Sequence, residues 1–135
     1  LALNDKKIPV YGTGKNIRDW IFVEDHCDAI IDVLIKGKSG QSYNISGGNE
    51  IDNITIIEKI LSIVGKSTKS IEFVEDRPGH DFRYSMKSTK IKNELGWVQK
   101  KKFEDGIKKT VDWYIENKEW WMNLNKEILD ATPWK

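Results

Sequence analysis

Apolar residues in this chain come in short runs punctuated by glycine, a pattern that predicts short strands alternating with helices. Residues 8–11, Ile-Pro-Val-Tyr, read as a strand ended by Gly12 and Gly14. Pro9 has no amide donor and so places that strand at a sheet edge. Residues 17–23 are apolar and β-branched enough for a buried strand. Cys27, Ile30, Ile31 and Leu34 then recur at i, i+3, i+4 and i+7, which predicts a helix turning those four inward and ending at Gly37. Residues 42–45 read as the next strand, before a Gly47-Gly48 turn. Asn53 occupies a helix N-cap position, Ile57, Ile60, Leu61 and Val64 form the expected buried stripe, and Gly65 is the stop. Residues 71–74 form a strand that runs straight into Asp76-Arg77-Pro78-Gly79-His80-Asp81. Ser88 caps a short helix carrying Ile91 and Leu95, stopped by Gly96. A last long helix begins near Phe103, sets Ile107, Val111 and Tyr114 on one face, and runs to about Trp120-Trp121. The expected class is α/β: a small mixed sheet with helices, in one lobe over residues 1–135, without internal repeats.

Composition narrows the setting. A length of 135 residues suits one core, and a net charge of +1 with 39% hydrophobic residues is ordinary for a water-soluble domain. No apolar run approaches the roughly 18–20 residues that span a bilayer, and the start lacks the extended apolar stretch of a signal peptide, so no membrane is expected. Cys27 is the one cysteine and cannot form an internal disulfide, which makes the cytoplasm the expected location. No His or Cys cluster has metal-ligand spacing. The lysines between residues 87 and 109 are interleaved with acids and read as a solvated face, not a nucleic-acid surface. A first residue of Leu reads like the interior of a longer protein.

Charge chemistry singles out the arginines. Lysine occurs 19 times and arginine three times, as Arg18, Arg77 and Arg83. A guanidinium grips a carboxylate or phosphate through two parallel hydrogen bonds, which a lysine point charge cannot do. The arginines therefore point to an anionic ligand, most simply a phosphate or diphosphate; three structural ion pairs are the alternative. Pro78-Gly79 fixes a turn that can bring backbone amides close to a ligand, and His80 can donate to an oxygen or be a satisfied structural group. Tyr11 reads equally as core packing, and helix capping alone would explain Asn53. Asp19, Glu24 and Asp25 read as loop, cap and ion-pair residues, and Trp20 and Trp97 as core. Other motifs fail on inspection. Gly12-Thr13-Gly14 lacks the third glycine and the following apolar helix of a dinucleotide loop. The Gly-Lys-Ser at 37–39 and at 65–67 have Asp32 and Ile60 where a P-loop needs its first glycine. Tyr11 with Lys15, and Tyr114 with Lys118, match a Tyr-x-x-x-Lys spacing too common to carry weight.

Four segments together, IPVYGTGKNIRDWIFVEDH, YNISGGNEIDN, EDRPGHDFRYSMKSTKIKNELGW and FEDGIKKTVDWY, resemble the carboxyl-terminal part of the dTDP-glucose 4,6-dehydratase family. These are extended short-chain dehydrogenases/reductases acting on nucleotide sugars, and the resemblance covers nearly all of residues 5–121. It implies a bilobal parent enzyme, a lyase that oxidises the sugar at C4, removes water across C5 and C6, and returns hydride to C6. The amino-terminal Rossmann lobe of that parent would hold NAD, the catalytic Tyr-Lys pair and the homodimer contact. None of its motifs occurs here, so the 135 residues are expected to be the substrate lobe alone, without catalytic residues or an NAD site and inactive by themselves. Within them the resemblance sets Pro9 and Tyr11 along the base and ribose, Arg18 at the diphosphate and Asn53 near the nucleotide. It makes Asp76, Arg77, Pro78, Gly79 and His80 a loop around ribose and diphosphate. The alternatives are a stand-alone nucleotide-sugar-binding module, or the same lobe of a sibling epimerase or decarboxylase.

Overall fold

The computed structural model describes residues 1–123. It has the expected mixed α/β character, with the strands divided between two small sheets. β1 (Ile8–Tyr11) pairs in parallel with β4 (Ile71–Val74), Ile8 opposite Ile71 and Tyr11 opposite Val74. Pro9 is therefore on a two-stranded sheet, where its missing donor costs little. The second sheet has β2 (Ile17–Asp19) at its centre, antiparallel to β3 (Glu50–Asp52) and parallel to β5 (Arg83–Tyr84). β2 stops at Asp19, short of the expected 17–23 run, because α1 (Val23–Lys36) already begins at Val23.

One apolar cluster and several further buried side chains hold these elements. Ala29 of α1 meets Ile91 and Leu95 of α3 (Thr89–Leu95) and Trp97 beyond it, with Ile21, Val33, Tyr43 and Ile45 packed around them. Val10 of β1, Ile56 and Leu61 of α2 (Asn53–Ile63) and Val111 of α4 (Phe103–Glu116) are buried as well. Gly65, with φ +68°, stops the α2 segment as expected, and the Lys66 amide reaches back to Leu61 O. The long final helix is interrupted: α4 ends at Glu116 and α5 (Lys118–Met122) carries the Trp120-Trp121 pair.

Three expectations fail for physical reasons. The apolar stripe of α1 faces outward. Cys27 is exposed, and Ile30, Ile31, Leu34 and Ile35 are 50%, 51%, 82% and 72% exposed. The small Ala29 allows close approach to α3, so the helix turns the Asp25–Ala29–Val33 side inward. Residues 42–45 alternate as a strand should, with Tyr43 and Ile45 packed on the core, yet no strand pairs with them among the described residues. The α2 stripe is centred on Ile56 and Leu61, while Ile57, Ile60 and Val64 are half-buried.

Asp25, 4% exposed, is the polar pin of the core. Its carboxylate accepts the amides of Lys100 (3.2 Å) and Lys101 (2.9 Å), and its carbonyl accepts Trp97 Nε1–H at 3.2 Å. Asp25→Ala strands two donors, each at a cost of roughly 1–3 kcal/mol. A clear drop in Tm by thermal denaturation is expected; an unchanged Tm would contradict this role.

Candidate functional site

The parallel pairing of β1 and β4 delivers two loops to the same edge, at the carboxyl ends of both strands. That is where α/β proteins tend to place ligands. After β1 the chain turns at Gly12, whose amide donates to Val74 O at 3.0 Å, and Gly14, whose amide donates to Tyr11 O at 3.1 Å. Both glycines have positive φ, +57° and +70°. A side chain on Gly14 would lie 2.7 Å from Val10 Cγ1 and 3.1 Å from Ile54 Cβ, so the loop runs tight against α2. After β4 come Glu75 and the Asp76–Asp81 segment, and a Cβ on Gly12 would sit 2.7 Å from Asp76 Oδ2.

Hydrogen bonds tie three further elements into this cluster. Asn16 is 6% exposed; its carbonyl accepts the Asn53 amide (3.1 Å) and its Nδ2 donates to Asp81 O (3.3 Å). The Ile17 amide donates to Phe82 O at 2.8 Å. Arg18 donates to Ile17 O at 2.7 Å and to Asp81 O at 3.0 Å. The structure thus gathers Tyr11, Arg18, Asn53 and residues 76–80 around one edge. Pro9 lies on the same strand face as Tyr11, two residues earlier. The sequence reading passes over Gly12 and Asn16. Gly12 stands at the end of a predicted strand, a usable signal; nothing in the sequence marks Asn16 as buried.

The three arginines prove different. Arg83 is a structural ion pair, with a guanidinium nitrogen 2.6 Å from Glu50 Oε2. Arg18 spends part of its five-donor fork on backbone carbonyls, joining β2 to the 76–81 loop. Arg77 has no side-chain hydrogen bond or ion-pair partner among the described residues; its own amide donates to Asp76 Oδ1 at 2.9 Å. Asn53 is not the N-cap. Asp52 is, with its Oδ1 accepting the Thr55 amide at 2.9 Å, because Asp52 closes β3 in extended geometry and starts the helix in one step. The Asn53 side chain makes no hydrogen bond among the described residues, so it stands open at the helix amino terminus. His80 Nδ1 lies 2.7 Å from Asp76 Oδ1, and its side chain is 6% exposed.

Asp19, Glu24 and Asp25 serve structure. Asp19 accepts the Ser46 hydroxyl and the Asn49 amide, and Glu24 pairs with Lys109 at 2.7 Å. An apolar cleft of about 560 Å³ between α2, α4 and residues 20–24, lined by Trp20, Phe22, Ile60, Phe103 and Trp113, shares no residue with the polar cluster. The Gly12-Thr13-Gly14 turn joins β1 to β2 and no helix opens there, so these residues do not fit a dinucleotide's pyrophosphate. Among the described residues, no three His, Cys, Asp or Glu side chains group as metal ligands, and no helix is long and apolar enough to cross a membrane.

With this geometry in place, known proteins offer a comparison. The family described as GDP-mannose 4,6 dehydratase matches residues 1–110. The chain is 43% identical to a probable dTDP-glucose 4,6-dehydratase of Sinorhizobium fredii, over 96% of this chain and 39% of that protein. It is 45% identical to dTDP-glucose 4,6-dehydratase of Neisseria meningitidis serogroup B, over 91% and 38%. Among solved structures it is similar to the Bacillus anthracis dTDP-glucose 4,6-dehydratase in complex with NAD: 50% identity, TM-score 0.85, covering 92% of this chain and 39% of that one. The Streptomyces venezuelae dTDP-glucose 4,6-dehydratase with NAD and TYD bound gives 41% identity and TM-score 0.87, over 91% and 38%. A Thermotoga maritima UDP-glucose 4-epimerase with UDP-glucose gives 25% identity and TM-score 0.78, over 85% and 37%. The chain spans less than two fifths of the length of these relatives.

Two carboxylates, one at this edge and one in the second sheet, sit below the ordinary carboxylate range. Asp76 is lowered chiefly by its hydrogen bond to His80, and Glu50 by those to Arg83 and Ser85. A lowered folded-state pKa stabilises fully above the ordinary value near 4 and is lost as pH falls through the lowered one. Unfolding measured between about pH 2 and 5 should therefore show stability falling with acid, and falling less steeply in Glu50→Gln. Equal slopes would mean that the exposed Glu50–Arg83 pair contributes nothing.

Proposed function

The chain belongs to the GDP-mannose 4,6 dehydratase family, and from that premise we propose that it forms the nucleotide-sugar-binding lobe of a dTDP-glucose 4,6-dehydratase. The parent reaction would convert dTDP-glucose to dTDP-4-keto-6-deoxyglucose. The observation that carries this reading is the Arg77 guanidinium, without a hydrogen-bond or ion-pair partner among the described residues, in the loop that follows β4 at the edge where β1 and β4 end. Identity of 41–50% to dTDP-glucose 4,6-dehydratases favours that sugar nucleotide over the epimerase's, against 25%.

In this reading Arg77 clamps the diphosphate, His80 donates to it, and the amides of the Pro78-Gly79 turn line its path. Tyr11 and Pro9 pack along base and ribose, Asn53 adds a polar contact at the α2 amino terminus, and Arg18 braces the loop with its remaining donors toward the phosphates. These residues bind and orient. NAD, which supplies hydride transfer when bound, belongs in this proposal to the rest of the parent, together with the catalytic residues and the homodimer contact. The outward stripe of Ile30, Ile31, Leu34 and Ile35, and the 42–45 segment without a strand partner among the described residues, support a lobe docked on a larger body. A stand-alone module would leave that stripe in water. The 135 residues alone are expected to show no dehydration of dTDP-glucose, and the parent is placed in the cytoplasm.

Arg77→Lys keeps the charge and removes the fork. The suitable background is a chimaera carrying these residues in place of the matching part of the Bacillus anthracis enzyme. There the substitution should weaken dTDP binding by roughly 1–3 kcal/mol, about 5- to 150-fold, and leave thymidine binding unchanged. Calorimetry reads both. An unchanged ratio of dTDP to thymidine affinity would remove the clamp.

A further inference from the structure

Within the site just proposed, Asp76 makes contacts unlike those of its neighbours. Its Oδ1 accepts the Arg77 amide at 2.9 Å and faces His80 Nδ1 at 2.7 Å, and its Oδ2 lies 2.7 Å from where a Gly12 side chain would begin. Gly12 is in turn fixed to β4 through the Val74 carbonyl. The carboxylate therefore sits at the crossing of the two loops, with one oxygen on the 76–80 turn and the other beside the backbone after β1, while the side chain stays 43% exposed.

From this geometry we infer that Asp76 is a positioning residue: it keeps the proton on Nδ1 of His80, so that in the protonated ring Nε2–H of His80 and the Arg77 guanidinium face the anionic ligand. A carboxylate only accepts, so the hydrogen on the shared bond belongs to Nδ1. In neutral imidazole the other nitrogen is then the acceptor, and in the protonated ring it is a second donor. His80 Nε2 makes no hydrogen bond among the described residues and is not one of their buried unpartnered atoms, so it opens to solvent. The His80 side chain is otherwise 6% exposed, so its one accessible polar edge has a fixed direction. The same carboxylate accepts the Arg77 amide, which sets the backbone from which the guanidinium extends. This is the arrangement by which a second carboxylate fixes the ring of a functional histidine. The inference rests on the diphosphate reading for the nature of the ligand, but the tautomer is independent of it.

The test uses the 135-residue chain with ¹⁵N-labelled histidine, observed by NMR at rising pH up to the neutral-ring plateau of the His80 signals. His80→Gln identifies the His80 signals against those of His26. We expect His80 with a protonated Nδ1 and a bare Nε2. Asp76→Ala should release it to the Nε2–H form, and Asp76→Asn, which keeps an acceptor oxygen, should restore Nδ1–H. His80 in the Nε2–H form in the wild type, or unmoved in Asp76→Ala, overturns the positioning role whether or not any ligand binds. Inorganic pyrophosphate, added at about pH 6, is the probe for the second half. It should shift His80 Nε2 and the Arg77 guanidinium in the wild type, and shift Nε2 far less in Asp76→Ala. The expected tautomer with no pyrophosphate response would leave the positioning chemistry standing, overturn its direction toward an anion, and count against the diphosphate reading.

Discussion

The parallel pairing of Ile8–Tyr11 with Ile71–Val74 puts two segments distant in sequence at one edge, and the close contact of Gly12 with Asp76 locks the loops that follow them. Parallel strands require a long crossover, and everything between β1 and β4 serves as one: β2, α1, β3 and α2. On the way, that crossover returns to the same edge. α2 starts at Asn53, whose amide is bound by Asn16 just past the Gly12–Gly14 turn. β5 then runs beside β2, so the 76–81 loop is held at both ends, by β4 before it and by Arg18 and Asn16 beside it.

Holding the loop this way leaves part of its chemistry uncommitted. Backbone carbonyls take up Arg18 in part, Glu50 takes up Arg83 and Asp76 takes up His80 Nδ1, while Arg77 and Asn53 retain side chains without partners among the described residues. In the proposed reading the Arg77 guanidinium, which has no carboxylate within ion-pair distance among the described residues, takes an anion that comes from outside. Polar contacts that fix the frame are thus separate from those that face outward, and the apolar cleft lined by Trp20 and Phe103 stands apart from both.

Much of this was legible in the sequence where local rules decide. The β1 and β4 strands, the Gly37, Gly65 and Gly96 stops, the buried Ile91–Leu95 pair and the start of α4 at Phe103 follow from periodicity and turn chemistry. The candidate loop was legible because arginine is rare here and Pro-Gly marks a turn. What failed depended on neighbours distant in sequence. The rotation of α1 was set by the contact of Ala29 with α3, not by the stronger apolar stripe opposite. The 42–45 segment had the pattern of a strand but found no partner. Asp52 took the cap from Asn53 because β3 runs directly into α2. Arginine scarcity left anion-binding forks and structural ion pairs open, and Arg83 went to an ion pair, since side-chain identity does not reveal whether an acid lies across the sheet.

The central claim is that the ends of β1 and β4, with the α2 amino terminus, form one nucleotide-binding edge. Amide shift mapping of the chain with dTDP tests it most directly. Half-built clefts bind weakly, so an affinity on the order of millimolar, about −4 kcal/mol, is expected. Perturbations should fall on Tyr11, Arg18, Asn53 and Arg77 to His80. Perturbations confined to the lysine-rich residues 87–109 would show a non-specific anion surface and contradict the account.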